Sequence, residues 1–421
     1  MPIGTRIKLS AMMFLQFMMF AVWWVPLGAY LDNIGIGGTQ KSTILSTMAF
    51  GCMAAPIIGM VADRHFNSEK VLLVLNLISA AFLFLAAKTA SFGMLFTFLL
   101  IAMLCYMPTW ALTSSIAMAN SPAEQFPQIR VFGSIGWVCA AVFSLVAVKG
   151  LGVEVFDGTA LPLYCGAGIG FVGAFIALLL PKTPPPAKGE KGSVIDALGL
   201  RSFSLMKDKN FAVFVLVTML VMIPFSIYWS YGSTFLQAMG FTQLTATMNL
   251  GQFAEMFFML MVTLALKKMG VKWAMMVGLV ALLIRYVAFY CGGKFDMPWL
   301  YYVAILVHGI IFGFFFVGGQ IYINKKAPAA LQAQAQGFIF LASFGTGLLI
   351  GNYFNGWLID KYTTKAAEAL TYNWNAIWGV TTVFSFLLVV IFLVLFREKI
   401  EPESGEELAE DSETAKDAVE V

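Results

Sequence analysis

The chain has 421 residues, of which 60% are hydrophobic and 12% charged, and its formal net charge is +3. Soluble domains carry about 25% charged residues, so an ordinary soluble enzyme, a nucleic-acid binder and a disordered protein are all excluded. What remains is a polytopic protein embedded in a lipid bilayer.

About 20 apolar residues cross a bilayer as a helix. Runs of that length fall at 8–31, 42–62, 70–88, 92–118, 128–149 and 162–180. A second set falls at 209–237, 244–266, 271–291, 297–324, 332–359 and 375–396. The first run is too long for a cleavable signal peptide and has no small-x-small cleavage site after it. Barrel strands would be shorter and alternating. The fold class is therefore an all-α polytopic membrane protein with twelve transmembrane helices in two six-helix bundles. The expected domains are an N-terminal bundle (1–181), a cytoplasmic linker (182–208), a C-terminal bundle (209–396) and an acidic cytoplasmic tail (397–421).

The linker is Pro-rich, then charged, with an amphipathic stretch around 195–206. The tail carries ten acids and three bases and reads as a solvated extension. With the N-terminus in the cytoplasm, eighteen Lys and Arg fall inside and six, Lys41 among them, outside. That bias places both termini in the cytoplasm. The five cysteines lie in apolar runs, are odd in number and show no C-x-x-C spacing, so they read as small apolar filler.

Two six-helix halves joined by a cytoplasmic loop resemble the major facilitator superfamily. The turn after the second run, Gly59-Met-Val-Ala-Asp63-Arg64, resembles its G-x-x-x-D-R/K loop. There, a small residue allows close helix approach and an Asp caps the next helix. A second match, Gly356-x-x-x-Asp360-Lys361, falls on the outer side and is read as coincidence.

A charge at bilayer depth costs about 2.5–3.5 kcal/mol on insertion scales, so each one needs a reason. Of the 13 acids outside the tail, twelve lie in loops or at span ends, and Glu255 alone sits in the middle of a span. It is either a structural partner for a buried base or a proton site or substrate contact. Gln252, three residues earlier, shares its helix face. Arg130, Ser134 and Trp137 stack on one face of the fifth span. Together a guanidinium, a hydroxyl and an aromatic plane could hold a polar ring compound; the alternative is a snorkelling arginine. In the seventh span Trp229 lies beside Ser226, just after a kinking Pro224. In the tenth, His308 precedes Phe312 by four residues and is either a proton relay or ligand donor, or a structural histidine. Arg285 is assigned a structural role near the outer end of the ninth span. No Walker A, H-E-x-x-H, G-x-S-x-G or GxGxxG motif occurs, so no enzyme activity, cofactor or metal is expected.

Over nearly its whole length the chain resembles the nucleoside:proton symporter family, a bacterial branch of the superfamily. The likeness is carried by stretches such as Phe126-Pro127-x-Ile129-Arg130-x-x-Gly133-Ser134-Ile135-Gly136, Gln252-x-x-Glu255, Arg285-Tyr-x-x-Phe289 and Gly319-Gln320-Ile321-Tyr322. The resemblance implies a central nucleoside cavity between the halves and uptake driven by proton entry across the bacterial inner membrane. It places the family's arginine on Arg130, its hydroxyl and aromatic partners on Ser134 and Trp137, and its Q-x-x-E pair on Gln252 and Glu255. Two departures stand out. The family's polar pair in the seventh span falls on Ser226 and Trp229, and Gly313 stands where many members carry an aspartate. Coupling by an acid pair is thereby excluded. Coupling by Glu255, alone or with His308, and uncoupled facilitation both stay open.

The expectation is a nucleoside importer working by proton symport and alternating access. Its expected substrate contacts are Arg130, Ser134, Trp137, Ser226, Trp229, Gln252, Glu255, His308 and Phe312, and Glu255 is its proton site. The partners are nucleoside, proton and lipid bilayer, with no nucleic acid, and a monomer is expected. The alternatives are a sugar or other small polar solute as cargo, and a non-transporting membrane sensor.

Overall fold

The computed structural model describes residues 1–122, 125–185, 193–328, 331–366 and 369–397. The acidic tail after Arg397, part of the linker and the side chain of Asp63 lie outside the described residues. Eleven helices among those described are long and apolar enough to cross a membrane. They are α1 (Ile3–Asn33), α2 (Gly38–Ala62), α3 (Ser68–Ala86), α4 (Phe92–Ala119), α5 (Phe126–Gly150), α6 (Leu161–Leu179), α7 (Lys209–Ala238), α9 (Leu264–Lys294), α10 (Trp299–Lys326), α11 (Gln334–Lys361) and α12 (Trp374–Leu395). The twelfth, α8 (244–269), is the first limb of the continuous stretch Leu244–Lys294, which reverses at Gly270, so that α9 proper is the limb after that residue. Gly270 has φ 73°, a left-handed conformation that glycine adopts without a Cβ penalty, so one residue makes the turn between the runs 244–266 and 271–291. A short antiparallel hairpin, β1 (Thr363–Ala366) and β2 (Ala369–Tyr372), joins α11 to α12.

Helices dominate because hydrocarbon offers backbone groups no hydrogen-bond partners, so each span must satisfy its own. The interruptions are local. α1 breaks at Pro26, α4 restarts at Pro108, and Pro224 lies inside α7, where the Tyr286 hydroxyl donates to its carbonyl. Turns of α10 (Ile311–Val317) and α11 (Leu341–Gly347) widen to π-helix, a distortion that often accompanies functional sites. In the linker, a helical turn at Val194–Ala197 precedes a 3₁₀ segment at Leu200–Lys207. Asp208 then caps α7 by accepting from the Phe211 amide at 2.9 Å and pairs with Lys326 at 3.0 Å. These two partners hold its carboxyl below the usual aspartate range.

The halves meet along α1·α7, α2·α11 and α5·α8. At the end where α1 begins and α12 finishes they are separated by a cavity of about 860 Å³. It is lined by α2, α4, α10 and α11 and by Asp196 and Ala197 of the linker.

At the opposite end the halves are clasped. Lys41, expected in a solvated loop, is fully buried in the first turn of α2, because three neighbours compensate its charge. It pairs with Asp32 of α1 at 2.9 Å, donates to Thr234 of α7, and lies 4.7 Å above the Tyr231 ring. Tyr372 donates to the same Asp32 oxygen at 2.9 Å. Burial and the adjacent Asp32 push the Tyr372 phenol well above its ordinary value, so it stays a donor. Ser42 bonds Tyr231 at 2.8 Å, and Asp360 accepts from the Thr39 amide and hydroxyl at 3.0 and 2.9 Å. Gly38 has φ 53°, and a Cβ there would collide with the Asp360 carboxylate. Thus Gly356, packed on Ser42, and Asp360 form part of this seam, at the end opposite the Gly59–Arg64 turn.

Asp157 closes the third contact. It lies in the loop between α5 and α6, yet it accepts from Ser144 of its own half at 2.9 Å. It also accepts from the Thr245 amide and hydroxyl at 2.9 and 2.7 Å, at the first turn of α8. An acid of one half thus satisfies a helix N-terminus of the other. Asp157→Ala would leave these donors without their acceptor at a cost of about 2 kcal/mol, lowering the thermal unfolding midpoint in detergent by about 2 °C. Asp157→Asn, which keeps an acceptor oxygen, should lose less; equal midpoints for wild type and Asp157→Ala would contradict this role.

Candidate functional site

Midway between the two ends, α1, α5, α7, α8 and α10 enclose a cavity of about 30 Å³. It is lined by Trp24, Val25, Trp137, Tyr228, Trp229, Met248, Asn249, Gln252 and His308. Space for a water or two exists, so a larger solute must move side chains apart. The walls are aromatic. Trp137 of α5 and Trp229 of α7 face each other across the halves, with ring centroids 6.4 Å apart and planes inclined by 29°. Two rings sandwiching a third planar group need about 7 Å, two van der Waals gaps. A small outward shift of either tryptophan would admit one.

The polar groups come mainly from α8. Asn249 and Gln252, three residues apart, share a face. Asn249 also donates across the halves to the Trp137 carbonyl at 3.2 Å. One turn on, Glu255 is buried, with the Gln252 amide beside its carboxylate. The His308 Nε2 lies 3.8 Å from a Glu255 oxygen. From the other half Arg130 attracts Glu255 without forming a direct ion pair. Its guanidinium lies 4.4 Å from the centre of the Phe17 ring and along Gly133. Phe17 in turn stacks on Trp110, which lines the large cavity at the end where α1 begins. Trp24 Nε1 and the Tyr228 hydroxyl belong to lining residues and have no hydrogen-bond partner among the described residues. A polar solute is the natural partner for buried groups that cost energy unpaired.

The structure brings Trp137, Trp229, Gln252, Glu255 and His308 together, with Arg130 next to them and Ser134 half-buried on the same face of α5. It does not bring Ser226 there. That hydroxyl faces α11, donating to the Ile223 carbonyl at 3.2 Å and accepting from Asn355 at 2.9 Å, where Gly351 permits close helix approach. Phe312 lines a separate small cavity with Phe316, Gln320 and Phe344. Gly313 faces Met259 and Val262 of α8. Arg285 is fully buried, and its guanidinium reaches His308 Nδ1 at 2.9 Å. Asn249 and Tyr228 are additions to the sequence-derived set. The i, i+3 spacing of Asn249 and Gln252 was the available signal for the first. No local pattern marks Tyr228.

The family model described as nucleoside H+ symporter matches residues 3–401. YegT of Escherichia coli (strain K12) is 36% identical over 402 residues, covering 94% of each chain. The nucleoside permease NupG of the same organism is 27% identical, covering 94% of this chain and 96% of its own. A crystal structure of the nucleoside transporter NupG superposes with a TM-score of 0.83 at 27% identity, over 94% of this chain and 100% of that one. The two-bundle architecture with its α1·α7, α2·α11 and α5·α8 contacts is the major facilitator fold. The chain belongs to the nucleoside H+ symporter family.

Proposed function

We propose that this transporter carries nucleosides with protons into the bacterial cytoplasm across the inner membrane, with both termini and the 182–208 linker on the cytoplasmic side. In that orientation the clasped end faces outward and the large cavity faces the cytoplasm, so the structure is the inward-facing state. The observation that carries the reading is the central cavity. It pairs a cross-half tryptophan slot, suited to a planar base, with the Asn249 and Gln252 amides, suited to hydrogen-bonding groups, and Glu255 lies one helical turn behind them. Family membership and the permeases it resembles support the same cargo.

In this mechanism the base enters between Trp137 and Trp229. Gln252 and Asn249 hydrogen-bond its edge or its sugar, and Arg130 and Ser134 complete the contact from α5. Glu255 takes up a proton arriving from outside. Neutralising it removes its attraction to Arg130, a tie between the halves. The bundles 1–181 and 209–396 then rock about the central site, and both cargoes leave through the cavity at Trp110.

Two experiments test this. Proteoliposomes with an inward proton gradient should accumulate nucleoside, and Glu255→Gln should abolish accumulation while leaving downhill exchange measurable. Gradient-independent uptake in both would mark a facilitator with Glu255 structural, and uptake of sugars but not nucleosides would overturn the cargo. Base stacking is worth about 1–3 kcal/mol per base, so Trp229→Leu should raise the KM for nucleoside about tenfold or more. An unchanged KM would remove the slot from the mechanism.

A further inference from the structure

Arg285 and His308 form a buried pair that the transport cycle above does not use. Three contacts immobilise the Arg285 guanidinium. Its Nε donates to the Ala304 carbonyl at 3.0 Å, its plane lies 4.2 Å from the centre of the Tyr228 ring, and Nη2 meets His308 Nδ1 at 2.9 Å. The imidazole is held as firmly, against Phe225 with ring centroids 5.7 Å apart and planes 24° apart, and beside Tyr228 at 5.7 Å. A guanidinium carries N–H donors and no acceptor. In this contact Nδ1 must therefore accept, and the ring proton must sit on Nε2. Nε2 is the atom that faces Glu255, and His308 lines the central cavity.

We infer that Arg285 is a positioning residue that locks His308 in its Nε2–H tautomer, so that the imidazole, with Nε2 3.8 Å from a Glu255 oxygen, presents one fixed hydrogen-bond donor to an acceptor atom of the cargo. This inference rests on reading the cavity as the transport site. The polar and charged groups around the imidazole are Glu255 and Gln252 of α8, Arg285 and the adjacent Tyr286 of α9, and Tyr228 of α7. Arg130 of α5 acts on Glu255 from across the cavity. Asn249 and Gln252 carry amides, which can turn to donate or accept; His308 held this way cannot. It would favour a carbonyl, a ring nitrogen or a hydroxyl oxygen at its edge of the cargo and disfavour a donor there.

The chain has two histidines, His65 and His308, and His65 is exposed at the far end of the helix that begins with α2. The full-length His65→Gln protein, labelled with ¹⁵N-histidine and reconstituted in lipid, therefore reports His308 alone. Its two nitrogen shifts should show the Nε2–H tautomer across neutral pH, and Arg285→Met in the same background should show mixed tautomers. A parent spectrum of the Nδ1–H tautomer or of a mixture would overturn the inference, and that spectrum decides even if Arg285→Met does not fold. Function is read with a second pair. The amide of His308→Gln places its N–H near the Nε2 position, whereas that of His308→Asn lies near Nδ1. Nucleoside uptake by the Gln variant should exceed that of the Asn variant by about tenfold; equal rates would overturn the donor role. The spectrum needs no cargo. Absent nucleoside uptake in the parent would thus count against the transport reading, with the tautomer still decided.

Discussion

A charge survives inside this bundle only where a second charge, a dipole or an aromatic face meets it, and that constraint organises the interior. Removing an ion from water costs several kcal/mol even after the protein relaxes, so each buried ion must be compensated on the spot. Lys41 has Asp32 and the Tyr231 ring. Arg285 has a carbonyl, an imidazole and the Tyr228 ring. Asp157 has Ser144 and both donors of Thr245. Each solution fixes the separation of two or three helices. Glu255 is compensated least, by an amide beside it, an imidazole at 3.8 Å and an arginine beyond direct contact. The weakly compensated carboxylate lies behind the cavity-lining Gln252 and His308, where a change of charge can act on both halves.

The fold was legible because a bilayer demands long apolar helices, and such runs declare themselves without reference to contacts. All twelve expected runs coincide with helices to within a few residues. What escaped were features set by tertiary approach. Gly270 makes its turn as a single reversal, and nothing in the local composition distinguishes that from a longer loop. Lys41 reads as a loop residue because its partner Asp32 obeys no helical spacing with it. Arg285 and His308 lie 23 residues apart on separate helices, and only the packing of α9 on α10 joins them.

The site was legible in part for a related reason. Glu255 stands out by depth, and Gln252 follows from helical periodicity, as Asn249 also does. Arg130, Ser134 and Trp137 share a face by the same periodicity. Ser226 and Trp229 illustrate the limit. Three residues apart, they are neighbours on α7, yet the roughly 60° between them round the helix gives Ser226 to Asn355 of α11 and Trp229 to the cavity. Which edge of a shared face turns inward is decided by the neighbouring helix, here by the close approach at Gly351.

The clasp at the closed end has a property that its residue list alone does not convey. Its one ion pair among the described residues, Lys41 with Asp32, lies wholly within the first bundle, and the second bundle contributes the hydroxyls of Thr234, Tyr231 and Tyr372. Asp360 and Asp157 likewise cross the seam to neutral amides and hydroxyls. When the bundles part there, no cation is pulled away from its anion. What is exchanged for water is a set of hydrogen bonds with a neutral partner on at least one side, each worth about 0.5–3 kcal/mol net. The seam therefore parts electroneutrally, with opposite charges leaving together on one side.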